Sequence, residues 1–284
     1  MELLVVIGVI SLLMAISVPA FNVVRAKACQ LKGMASLKGV VAALNVFAND
    51  HEDHYPPSVG TVGFGDHWTW WDPRRLVGVE GRTPTMYRSM STYLREYIER
   101  AKVISCPSVP FDYEYLQQVW DAGEDWDCPS TASTVDIMTG SFCFYWNYEG
   151  LVEPTTEDDR WRFFKGPRGP AAGRGFSKLL AADYLGYGCG RDDPPPPAYA
   201  SCEPFDGARP QADATTVSHW VRTDVKEIPD ITLRAAYVDG HVERSSGQDV
   251  VPMRVILDRE KLTLYTVGGV NSCGLFYLPT GAMR

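Results

Sequence analysis

From Leu3 to Phe21 the chain runs for 19 residues in which only Ser11 and Ser17 are polar, and this run limits every fold open to the rest. A helix satisfies its own backbone groups, and a serine within it can bond back to a carbonyl of the preceding turn. At about 1.5 Å per residue the run measures roughly 28 Å, close to the hydrocarbon thickness of a bilayer. The segment is therefore long enough to span a membrane. Glu2 stands directly in front of it, where a secretory signal places bases and an anchor avoids charge. Pro19 removes one helix hydrogen bond and crowds the turn before it, so a kink or loosening is expected between Ser11 and Pro19, with Gly8 a second soft point.

Beyond Phe21 the apolar residues recur at helical spacing. Val24, Ala28, Leu31 and Ala35 form a stripe, and Leu37, Val41, Leu44 and Ala48 are expected to continue it. Asn49-Asp50-His51 and then Pro56-Pro57 supply the stop. The pattern predicts one helix of about 50 residues, roughly 75 Å long, apolar on all faces in its first half and amphipathic in its second.

These residues resemble the type IV pilins and the pseudopilins of type II secretion. Mature chains of that family begin with an aromatic residue, two or three more residues, then Glu-Leu-Leu, as in Glu2-Leu3-Leu4, and a proline follows the glutamate at the spacing of Glu2 to Pro19. The resemblance implies a mature start about three residues before Met1, after cleavage of a leader by a prepilin peptidase and methylation of the new amino terminus. It implies a pilin-like α+β fold, with residues 1–54 as the N-terminal helix and residues 55–284 as a globular β-rich head. Within the helix, 1–21 would form the membrane or filament core and 22–50 the amphipathic part, and loops are expected near 150–215 of the head. Glu2, Leu3, Leu4 and Pro19 are the residues it implies in subunit assembly: the carboxylate, costly to bury in lipid, meets the amino terminus of an adjacent subunit and positions it. The alternative for Glu2 is a place at the membrane interface, in contact with water. Arg25 and Lys27, just past the span, taken alone favour the opposite orientation across the membrane.

The first 50 residues carry a net charge of +2 and the remainder −10, which makes nucleic acid a poor partner for the head. Seven cysteines (Cys29, Cys106, Cys128, Cys143, Cys189, Cys202, Cys273) include no C-x-x-C pair, which disfavours zinc ribbons, thioredoxin-like chemistry and covalent haem. In an exported chain they are available for disulfides, six paired and one left over. Cys29 is either the odd thiol or a pin from the helix to Cys106-Pro107.

The head reads as short strands at Lys102–Ser105, Phe142–Tyr148, Leu179–Asp183, Leu233–Val238 with His241–Arg244, Arg254–Leu257, Leu262–Val267 and Leu275–Leu278, plus a short helix at Ser91–Arg100. Asp239-Gly240 between alternating runs predicts a tight hairpin. Gly166 to Gly175 and Asp192 to Pro197 read as surface loops. Cys29-Gln30-Leu31-Lys32, Phe47-Ala48-Asn49-Asp50, Ser105-Cys106-Pro107-Ser108, Ala182-Asp183, His219 and Val238-Asp239-Gly240-His241-Val242 resemble, in order, the pilin-like proteins abundant in planctomycetes.

Three further clusters carry side chains suited to chemistry. His51-Glu52-Asp53-His54 invites a metal, but neighbouring residues rarely converge on one ion, and a solvated helix cap is the favoured reading. Asp183, Asp239 and His241 are calcium candidates without a D-x-D-x-D-G run, so turn-forming acids are favoured. Trp68, Trp70 and Trp71 offer a sugar platform, though core or interface packing is the commoner use. No nucleophile elbow, H-E-x-x-H, phosphate loop or dinucleotide fingerprint occurs. The expectation is a non-enzymatic filament subunit without a cofactor, calcium aside. It would be held in the inner membrane before assembly, then drawn by pilus assembly machinery into a homopolymer at the cell surface. The alternatives are a type II secretion pseudopilin of a periplasmic piston and a membrane-tethered periplasmic enzyme or sugar-binding protein.

Overall fold

The structure, a computed structural model, describes residues 2–64, 67–70, 73–77, 89–106, 114–126, 140–152, 162–171, 173–187, 197–200, 211–212, 219–220, 233–245, 249–254, 256–258, 263–264 and 275–283. It is an α+β arrangement: one long apolar helix, α1 (Glu2–Asp50), and a separate region rich in antiparallel sheet. The helix is continuous from Glu2 to Asp50 with Pro19 inside it. Ser17 Oγ donates to Leu13 O at 2.7 Å, the back-bond that keeps its hydroxyl satisfied.

Helix α1 stops where the sequence places the stop. His51 and Asp53 both donate their backbone N–H to Ala48 O, and Glu52 and Asp53 take positive φ of 53° and 60°, which turns the chain out of the helix. The His51 ring stacks on Phe47 at 3.8 Å and its Nδ1 lies 2.8 Å from Phe47 O.

The expected single apolar stripe is instead two. Leu37, Val41, Leu44 and Ala48 are buried, while Val24, Ala28, Leu31 and Ala35 are exposed. From Ala35 to Leu37 is a step of two residues, about 200° around the helix, so the second stripe lies nearly opposite the first. Gly39 lets a 3-10 helix at Ala101–Ile104 come close, since a Cβ there would lie 2.8 Å from Val103 Cγ1. That 3-10 helix replaces the strand expected at Lys102–Ser105. Ala101 and Ile104, three apart, both face the core, a spacing that suits three residues per turn and not an alternating strand.

Strands follow in chain order: β1 (Thr61–Phe64), β2 (His67–Trp70), β3 (Phe142–Phe144), β4 (Glu149–Val152), β5 (Arg162–Lys165), β6 (Leu179–Tyr187), β7 (Pro197–Ala200), β8 (Gln211–Ala212), β9 (His219–Trp220), β10 (Leu233–Tyr237), β11 (Val242–Ser245), β12 (Val250–Arg254), β13 (Ile256–Asp258), β14 (Thr263–Leu264) and β15 (Leu275–Pro279). Helices α2 (Met90–Leu94) and α3 (Glu114–Asp121) precede the main sheet in sequence. α2 is half the length expected for Ser91–Arg100. α3 had no counterpart in the sequence reading, although Leu116, Val119 and Trp120 bury one face of it.

Strand β6 is the centre of the main sheet. Its first half pairs with β3 and β10, and its second half with β15 and β7, so one strand joins two hairpin systems. Its early residues Leu179, Leu180, Ala181 and Ala182 are fully buried, the near-continuous apolar run of a strand covered on both faces. β10 and β11 form the expected hairpin, with Ala236 opposite Val242. Its loop has three residues: Gly240 N–H donates to Tyr237 O at 2.9 Å, Tyr237 N–H donates to His241 O at 3.1 Å, and Gly240 sits at φ 84°. β4 and β5 fall where loops were expected near 150–215, and Gly166 to Gly175 has no strand among its described residues.

Candidate assembly surface

Residues 6 to 21 of α1 expose every side chain, including Leu12 at 64 % and Phe21 at 72 %. The helix from Val6 to Asp50 contains a window of mean hydropathy 2.2, long and apolar enough to cross a membrane. Leaving such a surface in water is strongly unfavourable, at about 25 cal/mol for each Å² of apolar area.

The C-terminal half of α1 is held on the head by specific polar contacts as well as by packing. Arg234 on β10 and Asp183 on β6 form a fully buried bidentate ion pair, with Nη2 to Oδ1 at 2.6 Å and Nε to Oδ2 at 2.7 Å. The guanidinium also donates from Nη1 to the backbone carbonyl of Gln30 on α1 at 3.1 Å, and its Nη2 lies 3.6 Å from Cys106 Sγ. The point at which α1 leaves the head is thus tied to the sheet by a charge. Further along, Asn45 Nδ2 donates to Val238 O at 2.9 Å, and Tyr55 Oη donates to Asn45 Oδ1 at 2.7 Å. Asn45 therefore links α1, the segment after it and the β10–β11 hairpin. Burial pushes the Tyr55 phenol well above its ordinary range.

Glu2, Leu3 and Leu4 occupy the first turn of α1 and Pro19 lies within it. The two acids named as calcium candidates have different partners: Asp183 is engaged by Arg234, and Asp239 lies at the exposed hairpin tip with its Oδ1 2.5 Å from His241 Nδ1. That contact with His241 holds the Asp239 carboxyl below its usual range. At the end of α1, His54 Nδ1 meets Glu52 O at 2.6 Å and His51 Nδ1 meets Phe47 O, so both rings turn to backbone. Among the described residues no three His, Cys, Asp or Glu side chains gather to hold a metal. Trp68 and Trp70 lie on β2, His219 on β9. Trp71 lies outside the described residues.

Cys106 is disulfide-bonded, whereas Cys29 and Cys143 carry thiols. This corrects the expected count of six paired cysteines and removes the pin from Cys29 to Cys106. Cys143 is buried on β3 opposite Ala182. Cys128, Cys189, Cys202 and Cys273 lie outside the described residues. Sequence reasoning missed Arg234 and Asn45. A signal existed: Arg234 stands in Leu-Arg-Ala-Ala-Tyr and Asp183 in Ala-Ala-Asp-Tyr, single opposite charges in two otherwise apolar strands, which burial obliges to pair.

Compared with models of known families, with curated proteins and with solved structures, this chain has no match.

Proposed function

We propose that the chain is a type IV pilin-like subunit, held in a membrane by the first half of α1 and polymerised through that same half into a filament with the head outside. The observation that carries this reading is the division of one unbroken helix: residues from 33 to 48 bury a face on the head, while residues 6 to 28 project with every described side chain exposed. An anchor that merely tethered a head would have no need of a stiff continuation packed into it. A stalk that transmits contacts between neighbouring helices does. Repetition of a head-to-tail contact that does not close yields a fibre. Glu2 supplies the charge that an incoming subunit neutralises, because a carboxylate at the hydrocarbon edge is stabilised by a cation beside it.

The test is Glu2→Ala in the full chain, with filaments sheared from cells and imaged. The expected result is loss of filaments with the head still folded, as judged by an unchanged thermal unfolding midpoint. Normal filaments from the variant would remove the assembly role of Glu2, and absence of filaments from the unaltered chain would remove the pilin-like reading itself.

A further inference from the structure

Outside α1, Phe163 is the one large apolar side chain exposed among the described residues, at 45 %. It lies on β5, which ends the main sheet and pairs only with β4 among the described residues. Gly166 N–H donates to Tyr148 O, so in the alternating antiparallel pattern Phe164 and Arg162 also bond to β4, while Phe163 and Lys165 turn their backbone groups to the open side. There Lys165 O accepts from Ser177 N–H at 2.7 Å. The N–H and C=O of Phe163 have no partner among the described residues.

Beside this edge is an open notch of about 110 Å³, lined by Phe163, Phe164, Lys165, Phe176, Ser177 and Met283. It is smaller than the roughly 150 Å³ that admits benzene, and suits one branched aliphatic side chain. The surroundings are basic. Between Asp159 and Asp183 the chain carries six bases and no acid, against the acidic balance of the head as a whole. Lys165 lines the notch, the Arg168 guanidinium lies 5.2 Å from the Phe176 ring, and Arg174 and Lys178 are exposed one residue away from the lining positions Gly175 and Ser177. None of these four bases has an ion-pair partner among the described residues. Glu149, opposite Lys165 on β4, is buried and brings no carboxylate to the open edge.

An unpaired strand edge is a template for another extended chain, and the notch and the bases select which chain it takes. A polyanion without a peptide backbone would use the bases and leave the Phe163 amide and the notch unfilled. We infer that β5 binds an acidic peptide segment in extended form, which adds a strand to the sheet at Phe163, seats one branched aliphatic side chain in the notch and sets carboxylates against Lys165, Arg168, Arg174 and Lys178. The site belongs to the head, goes beyond the pilin-like reading and does not depend on how α1 assembles.

The experiment uses the full chain in detergent micelles with a fluorescein-labelled peptide of alternating glutamate and leucine, binding being read by anisotropy. Methylating alternate backbone nitrogens of the peptide is expected to weaken binding about tenfold, as is Phe163→Pro, which removes the outward N–H and keeps the bonds to β4. Lys165→Glu/Arg174→Glu is expected to weaken it about tenfold with the unfolding midpoint unchanged, and a peptide of alternating lysine and leucine to fail to bind. If the proline variant unfolds early, the methylated peptide decides, since it needs no substitution in the protein. No binding of the glutamate peptide, or equal binding of its methylated form, overturns the inference. Wild-type affinity in the charge-reversed variant also overturns it. Full displacement of the peptide by a single-stranded oligonucleotide, with methylation without effect, assigns the bases to polyanions instead. The pilin-like reading stands or falls separately, on filaments from the unaltered chain.

Discussion

Arg234 and Asp183, 51 residues apart in sequence, meet across β10 and β6 with neither side chain exposed, and the guanidinium reaches on to the Gln30 carbonyl of α1. Asp183 Oδ2 also accepts the Arg234 backbone N–H at 3.0 Å, so one carboxylate holds both the strand and its side chain. A charge pair this deep repays its desolvation only while both members are present.

Removing one partner is therefore expected to cost more than removing both. Arg234→Met or Asp183→Leu should each destabilise the head by about 3–5 kcal/mol, and the double variant by less than either. Urea unfolding of the three variants measures this. A double variant as unstable as the sum of the singles would show that the two side chains act independently.

Tyr55→Phe should leave Asn45 Oδ1 without its donor and cost about 1–3 kcal/mol, read as a lower unfolding midpoint. The phenols of Tyr55 and Tyr237 are both raised by burial, and Tyr237 also by its hydrogen bond to Glu243. In the unfolded chain they ionise near the ordinary value of about 10. The folded state then binds the extra protons above that pH, so the stabilisation is complete below about pH 10 and is lost as pH rises beyond it. Ultraviolet titration should find these two phenols ionising only as the protein unfolds, and Tyr55→Phe should shallow the alkaline loss of stability.

Gly169 packs against the turn that ends α1. A Cβ at this position would stand 1.9 Å from Asp53 O, a backbone atom that cannot swing aside. Tyr55 N–H donates to Arg168 O at 2.8 Å beside it, so any shift spreads into the segment after the helix. Gly169→Ala is expected to lower the thermal midpoint of the head markedly, more than Gly173→Ala, where a Cβ meets nothing within 4 Å.

Two positive-φ positions should respond in opposite directions. Gly240 holds φ 84° at the hairpin tip with open space around it, so Gly240→Ala costs backbone strain alone, about 1 kcal/mol. Glu52 holds φ 53° with a full side chain, so Glu52→Gly relieves strain and should stabilise the head by about 0.5–1 kcal/mol. Thermal unfolding of both variants checks the pair of signs.

The parts of the fold legible in advance were those governed by neighbours in sequence. Helix α1 and its end at Asp50 follow from apolar spacing and from stop residues, and the β10–β11 hairpin from Asp239-Gly240. Lys102 to Ser105 misled because four residues fit a strand or a 3-10 helix equally, and the choice fell to how Ala101 and Ile104 meet the core. Helix α3 was overlooked although Leu116, Val119 and Trp120 carry helical spacing.

What the sequence determined by itself is a long apolar helix, its stop and a hairpin, because periodicity and turn chemistry act within a few residues. Which stripe of that helix is covered, which cysteine stays a thiol and which buried charges pair were decided by the tertiary structure. The physical reason is distance along the chain. Arg234 finds Gln30 across 204 residues and Asn45 finds Val238 across 193, contacts that exist only once the sheet has placed β10 beside α1.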